Sequence, residues 1–470
     1  MPPRATTLPL LALLALAAPA LGQDPRVERG RLVEGLECQG DPTQTYTLFL
    51  PTASPPERPS PALIVLDPRG RSVHAAELFR EAAEEYGWIL LSSNDSRSDT
   101  SSDPNIRALR ALWPEAQGRY AADPQPTYLA GFSGTAKFAW FIARQAEGVA
   151  GVITSGAGWE PQHFEERFSV PSFGAAGDTD FNYTPMREVH ARLQEWGSPQ
   201  RLEIFEGTHS WMPAALAREA IEWMEIRAMK EGLRPKDEAL VARLLKEDLA
   251  RAAELEAAGR VLEARRRYTV AADTFENLAP VTTARREAAR LEALPATRDL
   301  VEEERRWDEY EQSMWRLHQA AYAELRAAEP PFRTALFTMR FRIGELQEHA
   351  RADGYEGVVG RRLLQTLATN AGYYLSQELR RQGEHARAAV ALSVATEARP
   401  ETPYLWYNLA CARAQAGSRG QALDALEKAV ALGFTRRELI ATDEDLESLR
   451  DEARFQALVG SPEGVEVPPR

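Results

Sequence analysis

Short apolar runs alternate with amphipathic segments between residues 45 and 207. The β-rich runs are 45–50, 62–67, 88–93, 127–133, 151–156, 172–178 and 202–207. Between them, apolar residues recur every three or four positions, as in AAELFREAAEEYG and AKFAWFIARQ, which is the period of a helix. Continuous apolar strands joined by amphipathic helices predict a mostly parallel sheet covered on both faces. We therefore expect a three-layer α/β domain over 27–232.

A helical pattern follows once the strand pattern ends near Pro213. It runs to about residue 458 and is rich in Ala, Leu, Glu and Arg. Identical residues recur 34 positions apart: Gly383 and Gly417, Ala388 and Ala422, Leu392 and Leu426, Ala395 and Ala429. An earlier segment keeps the same internal phase with Ala252, Gly259, Ala264, Tyr268 and Ala271. Small residues at fixed offsets let antiparallel helices approach closely, so we expect stacked helical hairpins.

These residues resemble the tetratricopeptide repeat, as does the stretch LWYNLACARAQAG with ALDALEKAVALGF after it. The resemblance covers 369–434 and 248–281 and implies a surface that binds a protein or peptide. We predict a helical region over 235–365 that contains one such repeat, followed by repeats and a helical tail over 369–458. Alternatively, the repeats pack on the α/β domain purely as structure.

The stretch GFSGT, from Gly131 to Thr135, is the first candidate for chemistry. It places Ser133 where the run TYLAGF meets the helical pattern AKFAWFIA. A nucleophilic serine on a sharp strand-to-helix turn needs glycines beside it, because a Cβ would clash in that backbone geometry. The pattern departs at its last position, where Thr135 replaces glycine and puts the packing of helix on strand in question. Alternatively, Ser133 is only a serine at the end of a strand.

An acid and then a histidine follow at the ends of later strands, an order that strengthens such a serine turn as a catalytic signal. The run 172–178 continues into DTDFNY, with Asp178 and Asp180, and the run 202–207 continues into THSW, with His209. Ser133 would attack a carbonyl, His209 would move the proton, and a carboxylate would fix the histidine tautomer. The two aspartates would point in different directions, so one faces the histidine while the other caps a turn or helix. The remaining histidines of this half, His74, His163 and His190, are interpreted as surface or helix-end residues.

An oxyanion hole at this site would be built from backbone N–H groups. Gly134, the residue after the nucleophile, offers one, and the loop 66–72 offers another. Pro68 has no N–H, which leaves Arg69 and Gly70 as candidates unless the loop is an ordinary turn. Arg69 and Arg71 either attract an acidic substrate or are solvated loop arginines.

Several aromatic residues are candidates to line a cleft for an aromatic or sugar ester, with the buried core as the equal alternative. They are Trp159, Phe181, Tyr183 and Trp211.

Together, AGFSGTAKFA, GDTDFNY and EGTHSWMP resemble the α/β-hydrolase superfamily, with exported polyhydroxybutyrate-depolymerase-like, feruloyl-esterase-like and dienelactone-hydrolase-like proteins as the nearest members. The resemblance covers about 30–230 and carries over as Ser133, Asp180 and His209. Asp180 is preferred over Asp178 because G-x-x-D before an aromatic residue is the usual arrangement of that superfamily. The resemblance implies a serine esterase that acts on a small-molecule ester through an acyl-enzyme, with no metal or organic cofactor. The competing hypothesis is an inactive hydrolase-like domain that serves as an interaction or scaffold module.

Charge limits the partners of this chain. The formal net charge is −13 and the pI is near 5.3, whereas nucleic acids and anionic membranes require a basic surface. We therefore expect neither as the main partner.

The first 22 residues resemble a secretory signal. Arg4 precedes an apolar run over 8–18, and small residues stand before Gln23. We expect an exported protein, periplasmic or secreted, whose mature chain does not insert into a membrane; an uncleaved anchor is the alternative. The two cysteines, Cys38 and Cys411, are too few for a disulfide framework, and Cys411 is interpreted as a buried thiol rather than half of a bridge.

Overall fold

The computed structural model describes residues 26–52, 60–98, 101–120, 126–159, 167–327 and 332–460. The chain divides into two compact units, 1–301 and 302–470. The predicted signal segment, residues 1–22, lies outside the described residues.

A mostly parallel sheet of eight strands forms the centre of the first unit. The strands are β1 Leu32–Glu37, β2 Thr45–Phe49, β3 Ala62–Leu66, β4 Ile89–Ser93, β5 Thr127–Phe132, β6 Val149–Ser155, β7 Ser172–Gly177 and β8 Gln200–Phe205. Their order across the sheet is β1-β2-β4-β3-β5-β6-β7-β8. β2 runs antiparallel to both of its neighbours, and the other pairs are parallel. The carboxyl ends of β5, β7 and β8 therefore meet at one edge of the sheet.

Helices cover both faces of this sheet. They are α1 Ser72–Tyr86, α2 Asp103–Pro114, α3 Gly134–Gln145, α4 Tyr183–Glu195 and α5 Ala214–Lys230, with a π-helical turn over Glu115–Arg119. Side chains of β3 alternate between two apolar clusters: Ile64 belongs to the one that includes residues of α2, α3 and α4, and Val65 to the one that includes residues of α1 and α5. This arrangement confirms the predicted three-layer α/β fold, and its sheet is that of the α/β-hydrolase fold.

The edge strand β1 was not predicted from the sequence. Its segment, LVEGLE, has neither an apolar run nor strict alternation. The pairing with β2 shifts register between Val33 and Leu36, and Gly35 between them has a positive φ of 69°. Such a bulge breaks the period of two on which sequence recognition of a strand depends.

Three further helices belong to the first compact unit. They are α6 Glu238–Ala257, α7 Val261–Phe275 and α8 Thr282–Glu292. Ile226 and Met229 of α5 share an apolar cluster with Val241, Leu244 and Phe275 of α6 and α7. The helices that follow the sheet are thus packed onto its last helix.

All regular secondary structure in the described residues of the second unit is helical. After α9 Pro295–Ala327, which crosses the boundary between the units, come α10 Arg333–Arg340, α11 Ile343–His349, α12 Gly354–Thr369, α13 Ser376–Arg381, α14 His385–Ala398, α15 Pro403–Gln415, α16 Arg419–Ala431, α17 Arg437–Thr442 and α18 Ala453–Val459. A π-helical segment covers Asn370–Leu375 and a 3-10 segment covers Glu444–Leu449. This confirms the predicted helical region, whereas the tetratricopeptide type of its repeats stays a prediction.

The small residues spaced 34 apart occupy equivalent places in two hairpins of this unit. Ala388 and Ala422 are both fully buried. Gly383 and Gly417 each come shortly after the end of a helix. Their φ angles are positive, 79° and 77°, which residues other than glycine rarely adopt. The 34-residue period is therefore a structural period of helix pairs.

Both cysteines, Cys38 and Cys411, are buried free thiols. Burial, reinforced by the nearby Glu115 carboxylate, raises the pKa of the Cys38 thiol to about 12. Among the helices in the described ranges, none has the length and apolar run needed to cross a bilayer.

Candidate active site

Ser133 lies at the sharp turn between β5 and α3. Its φ is 55° and its ψ is −126°, a conformation that non-glycine residues rarely adopt and that marks a strained backbone. The flanking glycines permit this turn: a Cβ on Gly131 would lie 2.5 Å from the Thr135 carbonyl oxygen, and one on Gly134 would lie 2.5 Å from the Ser98 Cβ. The turn therefore has the form predicted for a nucleophilic serine.

A hydrogen-bonded relay joins Ser133 to a histidine and a buried acid. The His209 Nε2 atom lies 2.9 Å from the Ser133 Oγ, and the His209 Nδ1 atom lies 2.9 Å from each carboxylate oxygen of Asp180. Because a carboxylate only accepts, Nδ1 carries the proton and Nε2 is left to accept from the serine hydroxyl. Phe132 and Phe181 pack against the imidazole with ring centroids 4.7 and 4.3 Å away. The three polar groups thus have the order and reach of an acyl-transfer triad.

The two candidate acids have different roles in the structure. Asp180 is fully buried and also accepts from the Asn182 N–H at 2.8 Å. Asp178 accepts from the Gly207 N–H at 3.0 Å, so its carboxylate ties the loop after β7 to the loop after β8. The structure brings Asp180, rather than Asp178, to His209.

Gly156, directly after β6, is part of the site, although it was not among the residues predicted from the sequence. Its φ is +59°, and a Cβ there would lie 2.9 Å from the Asp180 Oδ2 and 3.1 Å from the His209 Cε1. Its carbonyl oxygen accepts from the Asn182 side-chain amide at 2.6 Å. A glycine directly after a buried strand was the available signal, but its close approach to the acid is a tertiary contact.

Thr135, the departure from the usual pattern, is fully buried at the base of the turn. Its hydroxyl donates to the Leu66 carbonyl oxygen at 2.5 Å and accepts from the Phe132 N–H at 3.1 Å. Leu66 is the last residue of β3. The threonine therefore links the serine turn to the strand beside it.

Both backbone N–H groups of the loop that were expected in the oxyanion hole donate to Asp67 instead. The Arg69 N–H donates to the Asp67 Oδ1 at 2.8 Å, and the Gly70 N–H donates to the Asp67 carbonyl oxygen at 3.1 Å. The loop is thus a tight turn closed on Asp67, and the expectation for Arg69 and Gly70 is corrected accordingly. Gly134 is the first residue of α3, and the first N–H groups of a helix have no acceptor within it, so its role as an oxyanion donor stays a prediction.

The guanidinium of Arg71 also belongs to this turn. Its Nη2 atom forms an ion pair with the Asp67 Oδ2 at 3.0 Å. Arg71 therefore has a carboxylate partner within the protein, whereas Arg69 is exposed on the loop.

Most of the aromatic candidates for a substrate cleft are core residues. Tyr183 and Trp211 are each 6% exposed, and Trp159, at 5%, stacks parallel to Trp140 with ring centroids 6.4 Å apart. Of the two alternatives that the sequence left open, burial favours the core for Tyr183 and Trp211. Phe181 is half-buried beside His209, and its role in lining a substrate cleft stays a prediction.

Two other histidines of this half, His74 and His190, are described, and neither takes part in the relay. His74 is exposed on α1, and His163 lies outside the described residues. His190, expected at a surface or helix end, is instead buried, because Gly174 leaves room for its ring: a Cβ there would lie 2.3 Å from its Nε2. Burial lowers the pKa of His190 to about 4, and its Nδ1 contacts the Gln200 Oε1 at 2.8 Å.

The fold and the relay together define the class of the first unit: an α/β-hydrolase fold with serine, histidine and aspartate in hydrogen-bond contact. No protein-family model matches the chain, and no curated protein matches its sequence. Similar solved structures include Est1E from Butyrivibrio proteoclasticus, with 15% identity, a TM-score of 0.31 and coverage of 42% of this chain and 98% of that chain. TT1662 from Thermus thermophilus is 20% identical, with a TM-score of 0.31 and coverage of 42% and 98%. FphF, a fluorophosphonate-binding serine hydrolase of Staphylococcus aureus, is 14% identical, with a TM-score of 0.31 and coverage of 38% and 92%.

Proposed function

We propose that this protein is a serine hydrolase that cleaves carboxylic esters of small molecules through an acyl-enzyme at Ser133. The observation that carries this proposal is the relay from the buried Asp180 through His209 to the Ser133 hydroxyl, with 2.9 Å at each step. The strained conformation of Ser133 supports the same reading, because such strain persists where the surrounding structure holds a residue for function.

The proposed reaction follows from the direction of these hydrogen bonds. The Ser133 Oγ attacks the ester carbonyl while the His209 Nε2 takes its proton. The Asp180 carboxylate stabilises the imidazolium and keeps the ring in the productive tautomer. His209 then returns the proton to the leaving alcohol, and a water molecule, activated by the same nitrogen, releases the acid from Ser133. The Gly134 N–H is the proposed donor to the oxyanion.

Hydrolysis of an ester panel tests this proposal. Nitrophenyl esters of graded acyl length, feruloyl esters and acetylated sugars are the substrates, and Ser133→Ala is the control. We expect hydrolysis of at least one ester, with kcat/KM lower by about 10³-fold or more in S133A because the nucleophile is lost. Folded wild-type protein that hydrolyses none of them, or an S133A variant as active as the wild type, would favour an inactive scaffold domain.

Two further parts of the proposal rest on the sequence. Export to the periplasm or the medium rests on residues 1–22, and capture of a protein or peptide partner rests on the resemblance of 369–434 to tetratricopeptide repeats. The paired helices and the 34-residue structural period of the second unit support the second of these.

A further inference from the structure

Asp67, the residue after β3, is a fully buried carboxylate outside the relay. Its Oδ1 accepts from the backbone N–H groups of Arg69 and Arg71 at 2.8 and 3.2 Å, and from the Arg71 Nε at 3.1 Å. Its Oδ2 accepts from the Arg71 Nη2 at 3.0 Å and from the Trp211 Nε1 at 2.8 Å. One side chain therefore accepts five hydrogen bonds.

The bond to Trp211 reaches the loop that carries His209. Trp211 lies two residues after His209, and its ring packs against Phe132 and Phe79 with centroids 5.8 and 6.2 Å apart. Phe132 in turn packs against the His209 imidazole. The indole thus has a fixed place between the loop after β3 and the histidine loop.

The backbone at Asp67 is tied to the other loops of the site. Its carbonyl oxygen accepts from the Ser96 hydroxyl at 2.7 Å, which holds the loop after β4. The neighbouring carbonyl, that of Leu66, accepts from the Thr135 hydroxyl in the serine turn. Residues 66 and 67 therefore connect four segments at the carboxyl edge of the sheet: the loop after β3, the loop after β4, the serine turn after β5 and the histidine loop after β8.

The charge on Asp67 is maintained inside the protein. Burial alone would raise its pKa, but the hydrogen bonds from Arg71, Trp211 and the backbone hold the pKa below its ordinary value. An ionised acceptor makes stronger hydrogen bonds than a neutral one, so the indole N–H is held firmly.

We propose that Asp67 is a positioning residue, which acts through Trp211 to hold His209 in line with Ser133. This inference rests on the proposed hydrolase function. Asp67 touches no reacting atom; it fixes the loop from which the general base projects. Because a misplacement of about 1 Å can cost about 10²-fold in rate, loosening this loop reduces kcat.

The clean test removes the indole N–H and keeps an aromatic ring: Trp211→Phe. The chain offers a matched control in Trp88, a buried tryptophan of the same apolar cluster whose Nε1 donates to the Glu225 carboxylate at 2.5 Å. Both variants lose a buried bond between an indole and a carboxylate. We expect W211F to lower kcat by about 10 to 100-fold with KM within about 3-fold of the wild type, and W88F to leave kcat within about 3-fold at a similar loss of melting temperature.

A second variant, Asp67→Asn, closes a double-mutant cycle with W211F. Because both substitutions act through the same hydrogen bond, we expect the double variant to lose no more kcat than the more damaging single variant. If the two losses multiply as independent effects, if W211F keeps the wild-type kcat, or if W88F loses as much kcat as W211F, the positioning role is wrong. All of these comparisons use the kcat of an active wild-type enzyme as the reference. A wild type that hydrolyses no ester instead overturns the hydrolase proposal, and the positioning role of Asp67 with it.

Discussion

The Thr135 hydroxyl joins the turn at Ser133 to the last residue of β3. A glycine at this position would allow close packing but would leave the Leu66 carbonyl oxygen without this donor. A buried acceptor that loses its partner costs about 1 to 3 kcal/mol. The threonine is thus compatible with the serine turn and adds a bond that glycine cannot make.

Thr135→Val tests that bond at nearly constant shape. We expect the variant to lose about 1 to 3 kcal/mol of unfolding free energy, because a methyl group replaces the hydroxyl and removes its buried hydrogen bonds to the Leu66 carbonyl oxygen and from the Phe132 N–H. Urea unfolding measures the change. Thr154 on β6 is the matched control, since it too is fully buried and its hydroxyl has no partner among the described residues. T154V should therefore be neutral or stabilising, and equal losses in the two variants would contradict the assigned role of Thr135.

The relay residues could be predicted because each stands where a recognisable strand ends. Ser133, Asp180 and His209 follow apolar runs in the chain order of the fold. Gly156 and Asp67 could not be predicted, since their importance lies in contacts with loops that are distant in sequence. A lone glycine or aspartate after a strand carries no sign of the partner that it will meet.

At the scale of elements, local periodicity was sufficient for the seven strands from β2 to β8 and for the helices that join them. It failed at β1, where a bulge removes the period. It left open whether α6 and α7 pack on the sheet unit, because this packing combines an apolar cluster with ion pairs between charged residues that, in sequence, are typical of a solvated helix face.

A buried ionic network joins the edge strand β8 to these helices. Arg267 of α7 lies 2.6 Å from both Glu219 of α5 and Asp248 of α6, and 3.2 Å from Glu203 of β8. Arg201 of β8 lies 2.7 Å from Glu203 and from Glu219. Buried charges of this kind stabilise a structure only while their partners are present.

Arg267→Ala should therefore be strongly destabilising. It leaves three carboxylates with too few cations in a buried site, for which we expect a loss of about 3 to 5 kcal/mol. Arg260, just before the same helix, pairs with Glu263 at the surface, and R260A should cost at most about 1 kcal/mol. Thermal unfolding of both variants measures the difference, and similar melting temperatures would show that the network does not hold these elements together.

At the scale of the whole molecule, the chain consists of two compact units with different architectures. The first holds every residue of the relay, and the second contains two helix hairpins related by a 34-residue period. The proposed chemistry therefore belongs to residues 1–301, and the proposed partner binding belongs mainly to the second unit. The net charge of −13 belongs to the whole chain, and the expectation that nucleic acid is not the main partner stays a prediction.

The most direct test of the central claim is labelling of the full chain with a fluorophosphonate, followed by intact and peptide mass spectrometry. Such a probe reacts with a serine that a neighbouring base has activated. We expect one adduct per chain, located on Ser133, with none in Ser133→Ala and strongly reduced labelling in His209→Ala. Folded wild-type protein that remains unlabelled, or an adduct that persists when Ser133 is replaced, would contradict the account of Ser133 as an activated nucleophile.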